Sequence, residues 1–142
     1  MPAKEISLLF THPSRRVRRG PLREFWTEVA RRAARGQAGT CLIAGDRELR
    51  ELNRKFRRKD YATDVLSFPG TGEIAVSLDR AAAQASERGH SLDQELRILM
   101  LHGALHLAGM DHEIDGGRMA RAEARWRKRL GLPESLTERA RA

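Results

Sequence analysis

Short apolar runs of strand length alternate along this chain with stretches whose apolar residues return every three or four positions. Residues 5–10 (EISLLF) predict a first strand. After a basic loop, Leu22, Phe25, Trp26, Val29, Ala30 and Ala33 recur at helical spacing until Gly36, and Pro21 suits the first turn of that helix. Residues 40–44 (TCLIA) form a short continuous apolar run, the mark of a buried strand. Asp46 can cap a second helix whose core side is Leu49, Leu52, Asn53 and Phe56. Asn53 interrupts that stripe, as a residue reaching a backbone group or a functional site would.

Residues 63–68 (TDVLSF) read as a third strand stopped by Pro69-Gly70-Thr71-Gly72. A turn this short predicts that residues 73–77 run back antiparallel. An alanine-rich helix over 79–88 closes at Gly89. Ser91 followed by Gln94 predicts a capping box for a helix over 92–107. Ile98, Leu99, Met100 and Leu101 make that helix apolar on nearly every side, so it belongs at the centre. A last helix over 118–130 turns Met119, Ala122, Trp126 and Leu130 inward, and the Arg-rich tail after Pro133 is expected to be loose. The fold class that follows is α/β (α+β). It is one domain over 1–142, a four-stranded mixed sheet packed with about five helices. Right-handed crossovers make the first three strands parallel and leave the fourth antiparallel.

Composition narrows the class. At 142 residues and 40% apolar content the chain holds one real core, and no apolar run approaches membrane-spanning length. No signal-type leader opens it, so a cytoplasmic location and no membrane partner are expected. Cys41 is the only cysteine, which excludes an intrachain disulfide and fits a buried thiol. The net charge of +8 points to a polyanionic partner, RNA or DNA. All but four of the 27 basic residues are arginine, a bias that genome composition also produces. The excess is uneven, however. Arg15, Arg16, Arg18 and Arg19 form one cluster; Arg54, Lys55, Arg57, Arg58 and Lys59 form another. Either is a candidate RNA-binding face, and the second is favoured for phosphate.

The chemistry concentrates in the run HGALHLAGMDH. His102 and His106 lie one helical turn apart and share a face. Gly109 can end the helix in a left-handed cap and let the chain turn back to deliver His112. Three imidazoles suit one zinc ion and leave a tetrahedral position open, which marks a catalytic rather than a structural metal. Zinc peptidases of the HExxHxxGxxH kind share these offsets but carry a general-base Glu where this chain has Gly103. A glycine there is expected to leave open space beside the metal for a bulky substrate. His12 and His90 have no such company and read as surface or capping residues.

Taken with the segment TDVLSFP, the metal run resembles the YbeY family of bacterial rRNA-maturation endoribonucleases. The resemblance extends over Leu52-Asn53, Phe56-Arg57, Asp60 and Gly72-Glu73-Ile74, and to Met119 and Glu123 in the last helix. Three positions depart from it: Met110 for the usual Tyr, Glu73 for the usual Asp, and Ala62 for the usual Pro. None removes a metal ligand. The resemblance implies that His102, His106 and His112 bind one zinc ion and that Arg57 is the functional arginine. It also implies a single-stranded RNA substrate in small-subunit rRNA 3′-end maturation, handled with ribosomal proteins and an assembly GTPase.

Read from its own chemistry, Arg57 makes sense as a phosphate clamp, because a guanidinium grips two phosphate oxygens at once. The general base is not evident. Asp111, beside a ligand, is better suited to orienting a His ring, while Glu73, Asp64 and Glu113 are possible proton acceptors. The RNA 2′-hydroxyl could instead be the nucleophile. With seven aromatics and no aromatic-rich strand, backbone electrostatics rather than base stacking is expected to dominate affinity. The rival readings are a non-enzymatic, zinc-stabilised ribosome-assembly factor and a metallopeptidase.

Overall fold

Strand alternation sorts the apolar residues onto two unequal faces of one sheet. A computed structural model describes residues 5–111 and 116–140. The elements are β1 (Ser7–Phe10), α1 (Arg19–Arg32), β2 (Thr40–Ala44), α2 (Asp46–Arg57), β3 (Val65–Phe68), β4 (Glu73–Ser77), α3 (Leu78–Arg88), α4 (Leu92–Leu107), α5 (Arg118–Arg129) and α6 (Leu136–Ala140). The sheet order is β1-β2-β4-β3. β1, β2 and β4 are parallel, and β3 runs antiparallel to β4.

The mixed sheet matches expectation, but the antiparallel strand is β3 and not β4. The short turn fixes only that β3 and β4 oppose each other, and burial decides which of them joins β2. β4 is buried at every position after Glu73 and takes the interior slot, whereas β3 is only half-buried at both ends and takes the edge.

On one face Leu8, Cys41, Ile43, Ile74 and Val76 join the main core under α1 and α4. On the other, Ala44, Leu66 and Ala75 meet Leu49 of α2, with Leu42, Leu52 and Phe68 partly buried around them. The period of two is kept in every strand. α2 covers only part of this second face, so Leu9 of β1 stays exposed there. Asn53 is buried and donates to the Tyr61 carbonyl at 3.0 Å, so the polar residue in the α2 stripe ties down the loop that follows. Phe56, predicted on the core side of that helix, stands 56% exposed because it meets only the end of the sheet face, at Phe68. Cys41 is fully buried, and burial pushes its thiol up, as for a structural cysteine.

α4 is the central element and begins with the expected capping box, Ser91 and Gln94 exchanging side-chain and backbone bonds. It lies close against the sheet at Gly103. A Cβ there would stand 3.1 Å from Ile74 Cδ1, 3.2 Å from Ile74 Cγ2 and 3.3 Å from Val65 Cγ2. The open space expected beside this glycine is absent, because β3 and β4 fill it. Ser67 Oγ donates to the Gly103 carbonyl at 3.2 Å, so helix and edge strand are bonded at the point of closest approach.

Residues 134–140, in the tail after Pro133, are not loose. Ser135 and Thr137 are buried, and α6 adds a sixth helix to the expected five. Arg139 grips the buried Glu95 through two bonds of 2.8 and 2.9 Å and also reaches Glu134 at 2.9 Å. Arg88 holds Glu134 in a two-bond fork at 2.8 Å each. His90, expected at the surface, bonds Glu95 at 2.6 Å, and His12 pairs with Asp79 at 2.9 Å. Arg139 reads as charge in the sequence, but one of its two carboxylate partners, Glu95, lies far back along the chain. Among the described residues no helix is long and apolar enough to cross a membrane.

Two expectations follow. Gly103→Glu should destabilise the fold by about 3 kcal/mol or more, since it overpacks the helix–sheet contact and buries a carboxylate; denaturant melts measure it. The arginines around Glu134, Arg88 first, hold its carboxyl down at about 2 from an ordinary 4.5. A depressed carboxyl stabilises fully above its unfolded value and loses that contribution as pH falls through the folded one. Thermal melts should therefore show the tail's contribution fading between about pH 4.5 and 2, and Glu134→Gln should flatten that segment of the profile.

Candidate metal centre and phosphate cleft

The C-terminal end of α4 ends as its sequence dictates. Gly109 adopts φ +91°, its N–H bonds the His106 carbonyl at 3.0 Å, and the Met110 N–H bonds the Leu105 carbonyl at 3.2 Å. This doubly bonded left-handed cap satisfies the last carbonyls and turns the chain back across the helix end. Met110 and Asp111, the first residues after the turn, line the same cavity as His102 and His106. His112 and Glu113 lie outside the described residues.

The two described histidines converge. His102 Nε2 and His106 Nε2 are 3.2 Å apart, with ring planes crossed at 77°. Two nitrogens bound to one tetrahedral zinc at about 2.05 Å lie roughly 3.3 Å apart, so the pair fits such an ion. Among the described residues no set of three His, Cys, Asp or Glu side chains converges for a metal.

Glu123 of α5 fixes the tautomer of His102. It is fully buried, and its Oε2 stands 2.7 Å from His102 Nδ1. Burial by itself pushes this carboxyl up. The hydrogen bond and attraction of His102, with the backbone N–H groups of Thr137 and Leu136, overcome burial and hold it below its ordinary value. An ionised Glu123 requires a proton on Nδ1 and leaves the Nε2 lone pair facing the cavity. The other oxygen, Oε1, accepts the Thr137 N–H at 3.0 Å, so α6 braces the carboxylate from behind. Glu123 was legible only as a family match. Its signal was a Glu on the otherwise apolar Met119, Ala122, Trp126 stripe.

Arg57, the last residue of α2, also lines the cavity, whose volume is about 640 Å³. Its Nη2 donates to the Ser67 carbonyl on the edge strand. Arg58 adopts a left-handed φ of +57° that ends the helix and turns the chain away. Ser67 is thus bonded to both Arg57 and Gly103, which fixes the guanidinium relative to the helix that carries the histidines.

The remaining predicted residues are distributed unevenly. Asp64 lines the cavity, its carboxylate accepting the Val65 N–H at 2.8 Å and Gln84 Nε2 at 3.3 Å. Glu73, a possible proton acceptor from sequence, instead lines a neighbouring cavity on the α2 face of the sheet. It opens β4, whose start lies opposite Phe68. Arg54, Arg58 and Lys59 are exposed around the end of α2. Arg15, Arg16, Arg18 and Arg19 are also exposed, but none lines the histidine cavity; Arg19 instead stacks over Phe10 at 4.3 Å.

Known proteins resemble this chain over most of its length. The family model described as Endoribonuclease YbeY matches residues 32–131. An Endoribonuclease YbeY from Solibacter usitatus is 54% identical over 137 residues, covering 94% of this chain and 93% of its own. One from Koribacter versatilis is 58% identical over 117 residues, covering 78% and 76% respectively. The solution structure of a Thermotoga maritima protein superposes with a TM-score of 0.59 at 27% identity, over 90% of this chain and 93% of that one. The chain belongs to the Endoribonuclease YbeY family.

Proposed function

We propose that this chain is a zinc-dependent endoribonuclease that cuts single-stranded RNA in small-subunit rRNA 3′-end maturation. One zinc ion would be held by His102, His106 and His112. The observation that carries the reading is the pair of Nε2 atoms 3.2 Å apart in a cavity that also holds Arg57. The family name supports RNA as substrate. By the same resemblance, ribosomal proteins and an assembly GTPase are the protein partners proposed, and the cytoplasm the location.

When bound, the metal supplies a polarised phosphoryl oxygen or a water acidified to near neutrality. The chain does the rest. Glu123 keeps the proton on His102 Nδ1, so His102 Nε2 is offered to the ion as a lone pair. Arg57 spends one N–H on the Ser67 carbonyl and presents its charge to the phosphate, offsetting negative charge that builds as the fifth oxygen approaches. Of the candidate proton acceptors Asp64 is at the cavity wall, where Asp111 joins it, whereas Glu73 lines the neighbouring cavity. A peptidase base at position 103 would have to grow into Ile74 and Val65, which counts against peptide hydrolysis.

Chelator should abolish cleavage of single-stranded RNA and added zinc should restore it, with no cutting of an unfolded protein. Arg57→Ala should lower kcat/KM by about 10²- to 10³-fold, and Lys should rescue it poorly for want of the fork. Gel assays with end-group analysis read both, and a 2′,3′-cyclic phosphate would assign attack to the RNA 2′-hydroxyl. RNA bound but never cut, with His106→Ala unaffected, would establish the assembly-factor reading instead. Separately, Glu123→Gln should weaken zinc binding by about 10- to 100-fold in competitive chelator titrations. Its single amide oxygen cannot accept from both His102 Nδ1 and the Thr137 N–H.

A further inference from the structure

The histidine cavity has a neighbour. Arg57, Ser67 and Pro69 line both it and a second cavity of about 540 Å³ on the α2 face of the sheet, so the two share a wall. This second cavity is apolar, with Leu42, Leu52, Phe56 and Phe68 forming its sides. Phe56 and Phe68 meet edge to face, with centroids 5.4 Å apart at 71°. Phe56 is 56% exposed, the most exposed of the large apolar side chains among the described residues, although it sits one residue before the proposed phosphate clamp.

Charge gives the cavity a direction. Lys55 stands 5.2 Å from the Phe56 ring, and Arg54, Arg57, Arg58 and Lys59 surround the end of α2. Glu73 lies in the lining of the same cavity, on the strand opposite Phe68. A phosphate is drawn to the arginine rim and repelled by the carboxylate, whereas an uncharged aromatic ring is accepted by the apolar walls. A group with a phosphate at one end and a flat ring at the other, lying across the wall that the two cavities share, fits both conditions.

Resting on the endoribonuclease reading, we propose that the cavity between Phe56, Phe68 and Pro69 is a nucleobase subsite. It takes the unpaired base of the nucleotide next to the phosphate held by Arg57, stacked on the Phe56 ring. A base paired in a duplex is already stacked and cannot enter, so the subsite gives preference for single strands without reading sequence. The few aromatics in the chain pointed away from stacking; the fold places two of them beside the clamp.

The test uses the zinc-loaded full chain, a fluorescent single-stranded RNA 12-mer, and the same oligonucleotide with one abasic site moved along it. Phe56→Ala should weaken single-strand binding and raise KM by roughly 5- to 100-fold, the range found when one base–aromatic stack is removed. kcat should move far less. Phe56→Trp or Tyr should restore binding, and Leu should not, because the ring and not its apolar area is required. One abasic position should weaken wild type comparably and leave Phe56→Ala indifferent. The inference is overturned if Phe56→Ala or Leu binds like wild type, or if no abasic position matters while RNA is still cut. Altered self-association with RNA binding intact would overturn it too, by assigning the face to a second copy. If wild-type protein binds no single-stranded RNA, the endoribonuclease reading falls first and takes the subsite with it.

Discussion

Helix α4 packs most tightly on the sheet at residue 103, where a glycine lets its backbone meet β3 and β4, and the site is organised around that contact. Ile74 and Val65 methyls lie within 3.3 Å of where a Cβ would be, tighter than a side chain there would ordinarily be packed. At this distance Ser67 Oγ reaches the Gly103 carbonyl. The same residue's carbonyl receives Arg57. A backbone position on an edge strand thereby registers the clamp from α2 against the imidazoles of α4. Neither functional group has to hold its own place: the strand between them does so with hydrogen bonds that exist before any substrate arrives, which is what preorganisation requires.

A second line of support runs behind the histidines. Glu123 stands fully buried between His102 and the start of α6. α6 in turn is anchored by Arg139 on the buried Glu95, and by Glu134 on Arg88 at the end of α3. A five-residue helix could not stay folded alone. These ion pairs hold it, and it supplies the N–H that keeps one Glu123 oxygen occupied while the other faces His102. The basic tail therefore belongs to the architecture of the site, and part of the chain's positive charge is neutralised inside the protein.

Periodicity and caps made much of this legible in the sequence. β2, β4 and α4 fall where their apolar patterns end, and Ser91, Gln94, Gly89 and Gly109 act as their local chemistry demands. Those signals are short-range. What failed was long-range. The identity of the antiparallel strand depended on whether β3 or β4 was better buried between neighbours, which no local pattern encodes. The tail looked loose because its partners, Glu95 and Arg88, lie more than forty residues away. Phe56 continued a helical stripe correctly, but the sheet beneath it ends too soon. Gly103 read as empty space because a missing side chain in sequence does not say what fills the gap.

The glycine also narrows the chemistry. A zinc peptidase keeps its proton acceptor on the metal-binding helix, one residue after the first histidine. Packing that helix against β3 and β4 crowds the position, so in the proposed reaction proton transfer is left to the cavity wall or the substrate. A peptide brings no hydroxyl beside its scissile bond. RNA does, and it brings a phosphate that Arg57 can grip, so the same change that tightens the core lowers the fitness of the site for peptides more than for RNA. The family to which the chain belongs is named for cutting RNA. In this chain the helix–sheet packing and the proposed choice of substrate meet at one backbone position.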